Sequence, residues 1–259
     1  MTEHQKIQAL IIKKNDLAET DAIYTVISQE LGLIRLKARG VKKISSKNAP
    51  HLQSLNFSQI EIVRGKTDLW VITSSQTIEP FKNIKRNFTK IVFTQLLLEH
   101  YLCLVDEDID SQNFNYFFLT LKFIDALDNL DEDWMNLIYM WLMIKILNFS
   151  GRKPELYVCS KCGSKIQKNS KVSFDPKYGG IICEKCQKNV KIGFVVDNYT
   201  IKLFRLLGNL EIQDLKRITR IENSQKIFQI LNKYIKYYLE SPIKSEKFFN
   251  DLISEKQKI

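Results

Sequence analysis

The sequence predicts an α+β protein of more than one domain, and three observations predict it. Residues 6–79 alternate apolar and polar side chains with the period of two that is typical of β-strands. After Pro80 the apolar residues recur at helical spacing, and two Cys-x-x-Cys pairs interrupt this helical part. With 259 residues, of which 44% are hydrophobic, the chain is long enough to bury a core in each part.

The first part reads as a small β-barrel. Turn-forming residues at Asn15-Asp16, Leu31-Gly32 and Arg64-Gly65-Lys66 separate the candidate strands. Five short strands in about 80 residues match the size of an OB-fold, so we expect an OB-fold domain over residues 1–80. The five candidate strands are Gln8–Lys13, Ala22–Ser28, Leu33–Ala38, Phe57–Val63 and Leu69–Ser74.

The remainder is expected to be an all-helical domain over residues 81–259, interrupted by an insert at about 157–191. Acidic residues 131–133 suit the first turn of one helix, and Gly151 lies just past its end. Helices resume from Asn198 onward. The candidate helices are Thr89–Val105, Asn115–Leu127, Trp134–Phe149 and Ser224–Leu239.

The net charge of +10 predicts a polyanionic partner, although a lysine-rich composition alone would raise this number. The position of the charge is more informative, because residues 31–60 contain no Asp or Glu, whereas residues 99–133 carry ten acids and one Lys. We expect the acid-free stretch to bind nucleic acid through Arg35, Lys37, Arg39, Lys42, Lys43 and Lys47. A second cationic run, Lys82, Lys85, Arg86 and Lys90, offers possible secondary contacts. Phe57 and Trp70 are candidate stacking platforms, but core packing is the favoured interpretation of both.

Four of the five cysteines predict a metal site. Two Cys-x-x-Cys pairs separated by 20 residues have the spacing of a zinc site, since each pair offers two thiolates from one tight turn. Four sulfur ligands leave no position for water, so we expect one structural zinc ion rather than a catalytic one, and a metal-free or redox-active dithiol pair is the remaining alternative. The expected ligands are Cys159, Cys162, Cys183 and Cys186. The fifth, Cys103, lies in an apolar helical pattern, where we expect a buried thiol.

No motif predicts catalysis. The glycines form neither a phosphate-binding loop nor a dinucleotide-binding fingerprint, and the three histidines are scattered. We expect His100 to be a hydrogen-bonded packing residue. Residues 106–110 begin like a calcium loop, but Ser111 and Phe117 replace its required Gly and Glu, which favours an acidic linker. The absence of a signal peptide and of a membrane-spanning segment predicts a cytoplasmic protein.

Several short motifs, in their order along the chain, resemble the RecO family of bacterial recombination and repair mediators. The run from Ala9 to Asp21 is similar to that family's first strand and following turn, with Ala18 where glycine is common. The segment Ala38-Arg39-Gly40-Val41-Lys42-Lys43 with Ser46-Lys47 resembles its basic loop. Residues 241–249 resemble its C-terminal signature, with Glu246 where an apolar residue is usual.

The resemblance implies an N-terminal OB-fold and a helical domain that encloses a zinc-finger-like insert. It implies a non-enzymatic protein that binds single- and double-stranded DNA and anneals complementary strands. It further implies association with RecR and the single-strand-binding protein SSB, help in loading RecA, and a location at the bacterial nucleoid. Because some members of the family lack the cysteines, zinc is implied to stabilise the fold.

Two alternatives remain at this point. An RNA-binding or ribosome-associated zinc protein fits the sequence, because OB-folds and four-cysteine zinc sites both occur in proteins that bind RNA. A zinc-dependent nuclease is the other, and it would need an open metal position.

Overall fold

The computed structural model describes residues 4–64, 69–105, 111–166, 171–188, 193–218, 221–239 and 242–256. Its contacts divide the chain into two compact units. One holds Met1–Asn83 with Glu107–Asn115, and the other holds Ile84–Asp106 with Tyr116–Ile259. No helix in these described ranges has the length and apolar character needed to cross a membrane.

The first unit contains a closed five-stranded barrel. Its strands follow the order β1-β2-β3-β5-β4, and β4 pairs back onto β1. All neighbours are antiparallel except β3 and β5, which pair in parallel from Leu36↔Trp70 to Ala38↔Ile72. This architecture confirms the predicted OB-fold barrel. The strands are β1 (His4–Asp16), β2 (Ala22–Ser28), β3 (Gly32–Ala38), β4 (Phe57–Arg64) and β5 (Trp70–Glu79).

Alternate residues of each strand fill the barrel, as the period-two pattern predicts. A short 3-10 helix over Ala49–Leu52, between β3 and β4, adds Leu52 to this core. The predicted turn at Asn15-Asp16 was wrong, because both residues pair with β2 and the chain reverses over residues 17–21. The core comprises Ile7, Ala9, Ile11, Ala22, Tyr24, Val26, Leu36, Ala38, Val41, Leu52, Ile60, Ile62 and Ile72.

The helical part is organised around one central helix, α4. The Asp131 side chain caps it by accepting the N–H of Trp134 at 2.9 Å, and Gly151 takes a left-handed φ of +68° just past its end. Because α4 packs against α2, α6 and α7, residues 135–147 are all buried. The helices are α1 (Lys82–Arg86), α2 (Phe88–Leu104), α3 (Ser111–Ala126), α4 (Glu132–Phe149), α5 (Glu184–Gln187), α6 (Asn198–Asn209), α7 (Ser224–Lys236) and α8 (Ser245–Lys256).

The cysteine segment contains a small antiparallel sheet that the periodicity did not predict. Its strands are β6 (Val172–Asp175), β7 (Gly180–Cys183) and β8 (Phe194–Val196), in the order β7-β6-β8. Phe174 of β6 joins this sheet to the helices, since its ring stacks on Tyr234 with centroids 4.2 Å apart and lies 5.6 Å from Phe204.

Candidate metal centre and candidate nucleic-acid interface

The predicted cationic residues lie on β3 and on the loop that follows it, which we call the basic loop (residues 39–48). Alternation along β3 buries Leu36 and Ala38 and turns Arg35 and Lys37 away from the core. Arg35, Arg39, Lys43 and Lys47 are exposed. Within the described residues, none of these four cations lies within ion-pair distance of a carboxylate.

The two remaining cations of this set are paired with carboxylates. Lys37 Nζ lies 3.3 Å from Asp21 Oδ2, and Lys42 Nζ lies 3.0 Å from Asp16 Oδ2. Both acids precede the acid-free stretch in sequence, so the sequence pattern alone did not reveal them as neighbours of the basic loop. In this conformation, four of the six predicted side chains are thus exposed without a carboxylate partner among the described residues. The other two each form an ion pair with a carboxylate.

The basic loop is folded rather than extended. Gly40 takes a left-handed φ of +60°, which favours glycine, and its carbonyl accepts the N–H of Lys43 at 3.1 Å. The Lys43 carbonyl then accepts the N–H of Ser46 at 2.9 Å. Val41 anchors the loop in the barrel core, while Ile44 is fully exposed at its tip. The loop therefore presents its cations on short consecutive turns held at one end by the core.

The four residues of the second cationic run, Lys82, Lys85, Arg86 and Lys90, differ in burial. Lys82 and Arg86 are exposed and Lys85 is half-buried, where desolvation lowers its pKa and nearby Asp125 opposes that shift. Lys90 is buried, so its ammonium group is not exposed for a contact with DNA in this conformation.

The burial of Lys90 has a local cause. Its Nζ donates to the main-chain carbonyls of Asp125 and Leu127 at the carboxyl end of α3, where a cation is favoured by the helix dipole. A lysine on an apolar helix can therefore be buried when backbone carbonyls accept hydrogen bonds from its ammonium group.

The two candidate stacking aromatics belong mainly to packing. Phe57 is buried, with its ring 6.0 Å from that of Phe114. Trp70 is half-buried against the barrel core, and the guanidinium carbon of Arg64 lies 5.5 Å from its ring centroid. These positions agree with the favoured interpretation, in which both rings pack against the core rather than stack on bases.

The four cysteines of the two pairs converge in space. Their Sγ atoms all lie within 4.8 Å of one another, and the Sγ atoms of Cys162 and Cys183 are 3.8 Å apart. A tetrahedral zinc ion with Zn–S bonds of about 2.3 Å places its sulfur ligands about 3.8 Å apart, so the donor set fits a four-coordinate ion. The same distance far exceeds the roughly 2.05 Å of a disulfide bond.

The two Cys-x-x-Cys pairs lie in two different local structures. The first pair lies on a tight turn closed by a bridge between Val158 and Lys165, with Gly163 at a φ of +71° and its N–H donated to the Cys159 carbonyl at 2.8 Å. In the second pair, Cys183 ends β7 and Cys186 lies in α5, which begins at the next residue. A strand-to-helix corner and a tight turn therefore each supply two thiols.

A close backbone contact joins the two structures. Gly180 of β7 pairs with Glu155, whose carbonyl accepts the N–H of Ile181 at 2.9 Å, and the Ile181 carbonyl accepts the N–H of Ser160 at 2.9 Å. A Cβ at Gly180 would lie 2.3 Å from the Glu155 carbonyl oxygen. Glycine at this position is required for the two pairs of cysteines to meet.

The thiols perturb each other's ionisation. Hydrogen bonds from the Ser164 hydroxyl and N–H lower the pKa of Cys162 to about 6. The pKa of Cys186 is raised to about 12, chiefly through its hydrogen bond with Cys162. Four clustered thiolates repel one another, so full deprotonation is favoured only when a cation neutralises them. The chemistry of the donor set thus suits a divalent metal ion.

Three further predictions concerned Cys103, His100 and the acidic segment 106–110. Cys103 is exposed on α2, so the expectation of a buried thiol was wrong. His100 is buried, with Nδ1 3.0 Å from the Leu96 carbonyl and Nε2 3.3 Å from Asn232 Oδ1, which confirms its packing role. The acidic segment 106–110 lies outside the described residues.

Comparison with known proteins agrees with this architecture. A family model described as "Recombination protein O N terminal" matches residues 1–81, and one described as "Recombination protein O C terminal" matches residues 100–247. The boundary between the two matches therefore follows the barrel.

Relatives that match most of the chain are DNA repair proteins named RecO. The chain is 32% identical to the DNA repair protein RecO of Dehalococcoides mccartyi (strain ATCC BAA-2100 / JCM 16839 / KCTC 5957 / BAV1), over 82% of this chain and 81% of that protein. It is 29% identical to the DNA repair protein RecO of Desulforamulus reducens, over 95% and 94% respectively, and 27% identical to that of Bacillus pumilus, over 97% and 96%. The chain belongs to the RecO family of DNA repair proteins.

Proposed function

We propose that this protein is a DNA-binding mediator of recombinational repair that binds single- and double-stranded DNA and anneals complementary strands. The observation that carries the proposal is the exposed cationic surface of β3 and the basic loop on an OB-fold barrel. OB-folds commonly bind oligonucleotides, and exposed cations without carboxylate partners are free to neutralise phosphates. The proposed contacts are Arg35, Lys37, Arg39, Lys42, Lys43 and Lys47.

Annealing requires no bond chemistry. Two complementary strands repel through their phosphates, and lysine or arginine side chains reduce that repulsion while releasing counterions. Contacts to phosphate carry no sequence information and leave the base edges free to pair. A surface that binds backbones alone is therefore suited to this activity, and no catalytic residue is needed.

Lys82, Lys85 and Arg86 are proposed as secondary contacts, and we omit Lys90 because it is buried. We propose an OB-fold domain at residues 1–80 as the principal DNA-binding part. We propose a helical domain at 81–259, interrupted by a zinc-binding insert at about 157–191, as the second part.

We also propose that Cys159, Cys162, Cys183 and Cys186 hold one structural zinc ion. A closed tetrahedron of thiolates has no position for a reacting water, so the metal would stabilise the insert and supply no chemistry of its own. The ten Lys or Arg residues of segment 152–191 offset the negative charge of a zinc tetrathiolate.

The family relationship supports a set of partners. We propose that the protein acts with RecR, associates with SSB, and helps load RecA onto SSB-coated single-stranded DNA at the bacterial nucleoid in the cytoplasm. The relatives' shared name, DNA repair protein RecO, supports this placement in recombinational repair.

The proposal is tested by replacing Arg39, Lys42 and Lys43 together with Ala and measuring DNA affinity across a salt series. We expect weaker binding to every sequence. We also expect the slope of log affinity against log salt to flatten by about 0.7 to 0.9 for each lost phosphate contact. A matched control replaces three exposed lysines of the helical part, Lys202, Lys226 and Lys247, with Ala. An unchanged slope in the basic-loop variant, or an equal change in the control, would contradict the proposal.

A further inference from the structure

Two carboxylates at the β1–β2 connection, Asp16 and Asp21, contact the basic loop and differ in exposure and in hydrogen bonding. Asp21 ends the turn of residues 17–21 and Asp16 precedes it as the last residue of β1. The side chain of Asp21 is 20% exposed, whereas that of Asp16 is 61% exposed. Both lie close to lysines that we propose as phosphate contacts.

Asp21 bonds to the backbone of the basic loop. Its Oδ1 accepts the N–H of Gly40 at 2.9 Å and lies 3.3 Å from the hydroxyl of Thr20, while its Oδ2 pairs with Lys37 at 3.3 Å. The Gly40 N–H contributes most to lowering the pKa of this carboxyl group, ahead of Lys37. Since Gly40 has a left-handed φ, Asp21 fixes the loop at the residue where its direction changes.

Among the described residues, the Asp16 carboxylate forms its ion pairs with a lysine of the basic loop and a lysine of its own strand. Its Oδ2 lies 3.0 Å from Lys42 Nζ, and its Oδ1 lies 3.8 Å from Lys14 Nζ. The backbone of Lys42 is held independently, because its N–H donates to the Thr20 carbonyl at 2.9 Å. The Lys42 Nζ also donates to the Ala18 carbonyl at 3.2 Å. Removing the Asp16 charge would therefore break the ion pair of Lys42, keep this hydrogen bond and leave the path of the loop unchanged.

We propose that these carboxylates act on DNA binding with opposite sign: Asp21 is a positioning residue that holds the basic loop in its binding shape, and Asp16 competes with phosphate for Lys42. The inference rests on the proposed function of the basic loop. It makes the β1–β2 turn part of the DNA-binding surface, through a hydrogen bond to the backbone at one residue and a displaceable ion pair at the other.

Simple electrostatics gives a different expectation. If only charge mattered, removing either acid from a cationic surface would strengthen the attraction for phosphate. A loop that is released from Gly40, in contrast, must be ordered when it binds DNA, and ordering lowers affinity. The sign of the effect at Asp21 therefore separates positioning from charge.

The test uses four variants of the full chain: Asp16→Asn, Asp21→Ala, Asp21→Asn and Glu19→Gln. Glu19 is exposed on the same turn and forms no hydrogen bond or ion pair in the described residues, so Glu19→Gln measures the effect of charge alone. Asp21→Asn removes the charge but keeps an oxygen that can accept the Gly40 N–H.

We expect Asp16→Asn to tighten binding to single-stranded DNA about threefold at low salt and Asp21→Ala to weaken it about fivefold. Asp21→Asn should restore at least wild-type affinity, and Glu19→Gln should change it by less than about twofold. Amide hydrogen exchange at the peptide containing Gly40 should accelerate in Asp21→Ala and not in Asp21→Asn, because only the first removes the acceptor.

Equal tightening by Asp21→Ala and Asp21→Asn would overturn the inference in favour of charge alone. Equal weakening by both would overturn it as well, since the hydrogen bond to Gly40 would then have no separate effect. If Asp21→Ala fails to fold, the proposal can still be contradicted, because Asp21→Asn that binds DNA more weakly than wild type would overturn it. Wild-type protein without salt-dependent DNA binding would instead overturn the proposed function itself.

Discussion

Gly180 is the residue on which the geometry of the metal centre depends most directly. A Cβ built there would meet the Glu155 carbonyl oxygen at 2.3 Å and the Glu155 nitrogen at 2.7 Å, and backbone atoms cannot move aside without breaking the pairing of β7. The neighbouring Gly179 has nothing within 4 Å of the same position, although its φ is +67°. Two adjacent glycines are thus required for different reasons.

We expect Gly180→Ala to lower the free energy of unfolding by about 3 kcal/mol, since it forces the first cysteine turn away from β7. Gly179→Ala should cost about 1 kcal/mol, because it only strains a left-handed backbone. Chemical denaturation of both variants, together with their metal content, checks the difference. Equal losses would show that Glu155 does not hold the two halves of the centre together.

His100 makes stability depend on pH. Burial lowers the pKa of its imidazole, although the Leu96 carbonyl and Asn232 oppose this shift. The unfolded chain takes up a proton near pH 6.5, whereas the folded chain does so only at lower pH, so stability falls as the pH drops below about 6.5 and levels off below the folded pKa.

We expect the decline below pH 6.5 to be shallower in His100→Gln than in the wild type, by at most about 1.4 kcal/mol per pH unit. Urea denaturation at pH 7.5, 6.5 and 5.5 measures the free energy of unfolding of each protein and hence this decline. His4→Gln, which changes an exposed histidine, is the matched control and should keep the wild-type decline. Parallel curves for all three proteins would exclude His100 as the source.

At the scale of elements, the cysteine segment is the part whose stability should depend on metal. Its strands have three or four residues each, too short to be stable without further cross-links. A zinc ion bound to four thiolates would contribute its binding free energy to folding.

We expect about one zinc ion per chain, and Cys183→Ser should reduce the bound zinc and lower the midpoint of thermal unfolding. Cys103→Ser is the matched control, because this cysteine is exposed and outside the cluster. Elemental analysis and thermal scans measure both effects. A wild-type protein that is well folded without metal would refute the structural role.

The sequence predicted elements best where periodicity and turn signals coincide. The β2 strand was predicted with its observed ends, Ala22–Ser28, because its apolar alternation stops at turn residues on both sides. The sheet of the cysteine segment was missed, since strands of three or four residues are too short to show a period. The bridge between Glu155 and Gly180, which joins this sheet to the first cysteine turn, links residues 25 positions apart, and no local pattern encodes such a contact.

For the functional sites as well, the sequence predicted what local spacing encodes and missed contacts between distant parts of the chain. Spacing in the sequence identified the four cysteines, which do converge. It failed for Cys103 and did not reveal that Lys90 is buried, because the sequence shows an apolar helix but not which of its faces is covered. The ion pairs of Asp16 with Lys42 and of Asp21 with Lys37 were also missed, because the barrel brings together residues that are 26 and 16 positions apart.

At the scale of the whole molecule, the proposed activity is the annealing of DNA that is already coated by another protein. We expect the full chain to accelerate annealing of complementary strands coated with SSB, and to do so less at high salt, because phosphate neutralisation is salt-dependent. A fluorescence annealing assay at several salt concentrations measures this.

The basic-loop variant with Arg39, Lys42 and Lys43 replaced by Ala is the control, and it should anneal more slowly. Absence of annealing by the wild type, combined with a strong preference for RNA, would favour an RNA-binding protein instead. Cleavage of either nucleic acid in the presence of zinc would point to a nuclease and contradict the proposal.

The burial of α4 on every side has a consequence for how the chain is made. The helix leaves the ribosome before α6 and α7, the helices that cover it, and the chain must reach Lys236 before the cover is complete. At about 5 to 20 residues per second, this takes roughly 4 to 17 s after Phe149 is added. During that interval the apolar α4 lacks α6 and α7, so chaperones that hold nascent apolar segments should bind this chain at residues 132–149.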